Sequence, residues 1–204
     1  MKILLSGIGG VLFLMGCGNT KQAVQNSLNE PKLMRTWEAQ CIGSKIAGLS
    51  EKSYLSFAGS EFRKVQTLFT NGECTGEPAA EIRYSGTFTL VDGAANDAGG
   101  KPIDYTYNTV KVQGLTVDGR AKLEEVKLCG VEKWSDQEVD LSTRSADTFC
   151  PLVNVPSSVY EVYKVDADHL YVAAPGIILE RGKSSNDRVQ ELDKDAYFAS
   201  KRAL

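Results

Sequence analysis

Histidine is nearly absent from this sequence: His169 is the only one, and no G-x-S-x-G stretch accompanies it, so a serine–histidine–acid triad has no recognisable frame. Among the five cysteines, Cys17, Cys41, Cys74, Cys129 and Cys150, no two stand at C-x-x-C spacing. That removes the usual signatures of a zinc ribbon or a dithiol redox site, and no metal site is expected. Basic residues are not in excess, with 23 Lys and Arg against 26 Asp and Glu. A nucleic-acid partner would call for a basic face, so none is expected. No glycine-rich loop follows a strand pattern, and Gly99-Gly100 belongs to a polar loop. The neighbouring carboxylates do not suggest catalysis either. Glu124 and Glu125 would point to different sides of a helix, and Asp166 and Asp168 flank a turn, where acids cap or face water. Neither an enzyme nor a cofactor is expected.

Long apolar runs are also missing, with one short exception at the start. Lys2 precedes Ile3, Leu4, Leu5, Ile8, Val11, Leu12, Phe13, Leu14 and Met15, and the run ends at Gly16-Cys17. About a dozen residues fall short of the roughly 20 that a spanning helix needs, and a small residue before the break marks a cleaved signal peptide over 1–16. Leu14-Met15-Gly16-Cys17 resembles the lipobox of bacterial lipoprotein precursors. That resemblance implies that Cys17 becomes the first mature residue and carries acyl chains, palmitate among them, as a membrane anchor. Several chains hold a protein stably where one holds it reversibly, at about 0.8 kcal/mol per buried methylene. Gly18 stands where that family commonly uses aspartate for inner-membrane retention, which implies the outer membrane of the cell envelope.

Cleavage removes Lys2 alone among the charges, moving the formal net charge from -3 to about -4. Residues 17–33 are polar and without strong periodicity, as expected of a lipidated end and a tether, and 34–204 form one domain with a sizeable core. An exported domain permits disulfides, and the four remaining cysteines allow three pairings. Cys41 with Cys74 and Cys129 with Cys150 close moderate loops and are the favoured pairs.

From Met34 the pattern is that of strands. Trp37–Ile42, Tyr54–Ala58, Phe62–Phe69, Glu81–Leu90, Ile103–Val112, Val159–Val165, His169–Ala173 and Ala196–Lys201 are the expected strands, with Ile177–Leu179 a shorter run that can pair. In Glu81–Leu90 the residues Ile82, Tyr84, Phe88 and Leu90 share one face, which is the period of a half-buried strand. Tyr105 and Tyr107 have one parity and Val110 and Val112 the other, so a bulge is expected near Asn108 or Thr109. Residues 116–128 suggest a short helix capped by Asp118. Residues 135–154 read as a polar insertion stapled by Cys129 and Cys150, since untied loops of that length are uncommon.

About eight short strands joined by short turns argue for an all-β, antiparallel up-and-down barrel carrying a short helical insertion, because closure removes exposed edges. With Arg35-Thr36-Trp37 opening the first strand and Lys201-Arg202 ending the last, the chain resembles the lipocalin-like group of small barrels. Two functions follow. The barrel is a scaffold presenting the insertion, with Trp134 as a candidate contact, to an envelope component or protein. Alternatively it carries a small apolar ligand, lined by Tyr84, Phe88, Tyr105 and Tyr107. The interior is expected to be mostly filled, which favours the scaffold.

Overall fold

A computed structural model describes residues 30–142, 155, 157–173, 182–202 and 204. Among the described residues ten strands follow one another: β1 (Thr36–Glu38), β2 (Ile42–Gly43), β3 (Ser50–Ala58), β4 (Glu61–Phe69), β5 (Ala80–Leu90), β6 (Lys101–Gly114), β7 (Val139–Asp140), β8 (Ser157–Asp166), β9 (His169–Tyr171) and β10 (Tyr197–Ala199). One helix, α1 (Val117–Glu125), lies between β6 and β7. Eight of the strands close a ring, in the order β1, β3, β4, β5, β6, β8, β9, β10 and back to β1. Every pairing is antiparallel. The small antiparallel barrel is consistent with the lipocalin-like architecture.

Alternation fixes which face is inside. Phe57 opposes Phe62, Phe62 opposes Gly86, and Leu55, Lys64 and Tyr84 form the next row across the three hairpin-linked strands. The expected bulge is present. Ser85 opposes Thr109 and Gly86 opposes Tyr107, which leaves Asn108 as the extra residue of β6. By absorbing one residue, the bulge turns Tyr105, Tyr107, Val110 and Val112 all inward, and all four are buried. Gly86 is required beside it, because a Cβ there would lie 2.0 Å from the Thr106 carbonyl oxygen.

Several boundaries differ from the sequence pattern. The first strand is not continuous over 37–42 but breaks into β1 and β2, with one residue more than β3 offers opposite. β3 begins at Ser50 rather than Tyr54, because its first turn inward is polar: Ser50, Glu51 and Ser53 are all buried. The cap of α1 is Thr116, whose hydroxyl accepts the Gly119 N–H at 3.0 Å, and Asp118 sits in the first turn instead. Ala167 makes the β8–β9 turn at positive φ, as the expected hairpin requires.

Each rim is covered. At the rim where β6 begins, Leu33 is fully buried and its carbonyl accepts the Trp37 indole N–H at 3.1 Å. At the other rim α1 packs so closely that a Cβ on Gly119 would lie 2.0 Å from the Ala79 carbonyl. Cys41 and Cys74 form the expected disulfide, with a Cα separation of 5.7 Å, tying the β1–β2 break to the β4–β5 loop. Cys129 is also disulfide-bonded. Its expected partner Cys150, like Cys17 and Ile177–Leu179, lies outside the described residues.

Candidate functional site

The barrel interior holds aromatic packing and buried charge side by side. The aromatic part is built around Phe62, whose ring meets Tyr105 at 5.0 Å and Tyr107 at 4.9 Å between centroids, both edge to face. Phe57 and Phe88 add another edge contact at 5.0 Å. Such rings fill volume and lock one another by their quadrupoles. Charge is placed inside beside it: Lys64 from β4 and Glu161 from β8, with Tyr105, Tyr107 and Tyr197 lining the same cavity.

Burial dominates the electrostatics of this cavity. Glu161 is 3% exposed and its Oε2 accepts the Ala173 N–H at 3.0 Å. Loss of water pushes its carboxyl up to about 7, against the pull of that N–H and of the Lys64 and Arg188 charges. Part of the Lys64 side chain keeps solvent contact, but its ammonium is surrounded by protein, 5.9 Å from the centre of the Tyr84 ring. Burial draws its amine below the ordinary lysine range, while Glu51 and Glu161 draw it back up. The Tyr84, Tyr105, Tyr107 and Tyr197 phenols are all pushed up by burial and stay neutral, so they remain hydrogen-bond donors. Glu51 is satisfied separately, by Ser44 Oγ at 2.8 Å and Gln66 Nε2 at 2.9 Å.

The cavity among these groups measures about 20 Å³. A pocket for a small organic ligand holds roughly 300–1,000 Å³. The four aromatic residues expected to line such a pocket do face inward, but Tyr84 and Phe88 are spent on packing, and only Tyr105 and Tyr107 touch the cavity. A larger, open cleft of about 480 Å³ lies outside the barrel beside the disulfide, between Glu38, Gln40, Lys52, Glu73 and Phe198. Lys52 and Glu38 pair across it, and Ser200 Oγ donates to Glu38 at 3.0 Å.

Trp134, the candidate partner contact, is buried. It is 6% exposed and belongs to the same buried cluster as Leu123, Leu128 and Leu141. The Glu124 carboxylate accepts the Trp134 backbone N–H at 2.9 Å and folds the segment after α1 back onto the barrel. That bond holds the Glu124 carboxyl below its ordinary range. Lys64, Glu161 and Tyr197 escaped the sequence reading. The available signal was a charge on the apolar parity of a strand, as in Val159-Tyr160-Glu161-Val162-Tyr163, where Glu161 shares the inward face with Val159 and Tyr163.

The chain matches no protein-family model, and no curated protein is significantly similar to it. Among the described residues, no three His, Cys, Asp or Glu side chains converge as a metal site.

Proposed function

We propose that this chain is a lipoprotein of the bacterial cell envelope, anchored through acyl chains on Cys17, whose barrel is a rigid scaffold for contact with a protein or another envelope component. The observation that carries the scaffold over the carrier is the interior: among the described residues, the cavity between Lys64, Tyr105, Tyr107 and Glu161 measures about 20 Å³, room for no apolar ligand of ordinary size. The anchoring half of the reading rests on the lipobox resemblance at Leu14–Cys17, with the outer membrane favoured by Gly18.

Orientation supports the same reading. Glu30, six residues before β1, pairs with Lys101 at the rim where β6 begins. Ile42 and Val117, two of the exposed large apolar side chains, sit at the opposite rim, since Ile42, Glu51, Leu68, Ala80 and Gly114 are successive partners around the barrel and Val117 follows Gly114 by three residues. A tether from Cys17 therefore joins the barrel at one end while the apolar residues are offered at the other. This contact rim, rather than Trp134, is the surface to test.

Expression of the full precursor in a bacterium fed an alkyne-tagged fatty acid tests the anchor. The label is expected on the wild type in the membrane fraction, and Cys17→Ser is expected to lose both the label and the membrane association. Unlabelled wild-type protein, or a Cys17→Ser variant that still partitions with membranes, would refute it. Photo-crosslinking from Val117 is expected to capture a partner that the same probe at Glu61, on the opposite rim, does not.

A further inference from the structure

We propose that the chamber inside the barrel is a built site for one internal water molecule, held between the Tyr105 hydroxyl and the Lys64 and Glu161 side chains. The first observation is the hydroxyl itself. Tyr105 is 2% exposed, lines the cavity, and its Oη has no hydrogen-bond partner among the described residues. Native interiors rarely leave such a group unpaired.

Size selects the occupant. About 20 Å³ exceeds the roughly 10–15 Å³ that one water needs and is too small for a larger molecule. Chemistry narrows it further. The lining offers donors, Lys64 and Tyr105, and an acceptor, the Glu161 carboxylate. A halide would meet Glu161 and a small cation would meet Lys64, each with like charge nearby. Water both donates and accepts, so it satisfies the phenol, the ammonium and the carboxylate together, and it screens the two charges that burial brings into one chamber.

High-resolution crystallography of the mature protein, with and without a bromide soak, tests the assignment. One density peak about 2.7–3.2 Å from Tyr105 Oη, without anomalous signal after the soak, is the expected result. A dry chamber, a Tyr105 Oη bonded directly to protein, or bromide at the peak would overturn it. Tyr105→Phe gives an independent reading in solution. Loss of a satisfied hydroxyl is expected to lower the folding equilibrium constant by about 2- to 10-fold and to remove about one long-lived water from the oxygen-17 relaxation profile. An unchanged or raised folding constant would mean that the hydroxyl had no partner, and would refute the site.

Discussion

The two sides of the barrel are built differently. From β3 to β6 the strands run 9, 9, 11 and 14 residues, each paired to the next along nearly its whole length. On the closing side β1, β9 and β10 have three residues each, and β1 meets β10 at only Trp37–Ala199 and Glu38–Phe198. Backbone ladders alone do little to hold such a seam. Side chains add to it: Ser200 donates to Glu38 and Arg35 pairs with Asp168 across the gap, Tyr197 interacts with Ser53, the fully buried Trp37 fixes β1 from within, and the disulfide ties the strand break to the β4–β5 loop. One side is thus specified by periodicity and the other by particular residues, and the substitutions that distinguish them differ in size.

The largest effect is expected at the seam. Trp37→Ala removes a fully buried ring and strands the Leu33 carbonyl, and should cost about 3–5 kcal/mol in denaturant unfolding. Replacing Cys41 and Cys74 by serine frees a span of 33 residues and should cost about 3–4 kcal/mol in the chain-entropy picture. A loss below about 1 kcal/mol from both would mean that the ladders, not the buried ring and the disulfide, hold the closing side.

The pH dependence joins the two sides, because Glu161 of β8 faces Lys64 of β4 across the interior. Its carboxyl titrates near 7 in the folded protein and near 4.5 when unfolded. Below pH 4.5 both states are protonated and the term is fully present. As pH rises to about 7 the unfolded state ionises first, so stability falls by about 3 kcal/mol over that window and then levels. Glu161→Gln should flatten this slope in a series of melts from pH 4 to 8. A wild-type stability that rises across the same window because of Glu161 would reverse the sign and contradict the burial argument.

On the long side, Gly86→Ala should cost about 1–3 kcal/mol, because the new methyl meets backbone beside the bulge. The smallest change is expected from Arg35→Ala. Its partner Asp168 is largely exposed, so the loss should stay within about 1 kcal/mol and shrink in salt. If Arg35→Ala destabilised as much as Gly86→Ala, exposed pairs would matter to closure more than this account allows.

The same division explains what the sequence disclosed. Alternation in Glu81–Leu90 and the parity slip at Asn108 were legible because strands of that length repeat the pattern enough times to show it. Cys41 with Cys74 was favoured because the pair closes a moderate loop, and it is the disulfide observed. The break between β1 and β2 was not legible, since a three-residue strand carries barely one period. Charged side chains turned inward, Glu51, Lys64 and Glu161, were hidden for a different reason. Polarity is the usual mark of the outer face, so an inward charge erases the signal that places it. Trp134 was a candidate contact beside the polar insertion, but Glu124 folds that segment onto the core.

The central claim is that the barrel is closed over its own side chains and carries no ligand. Native mass spectrometry of the mature protein, extracted from membranes in mild detergent, tests it most directly. The mass expected is that of the polypeptide from Cys17 with its acyl chains, lowered by four hydrogens for two disulfides, and with no further molecule attached. A small apolar compound retained at fixed stoichiometry, and lost on unfolding, would contradict the packed interior and make this a carrier.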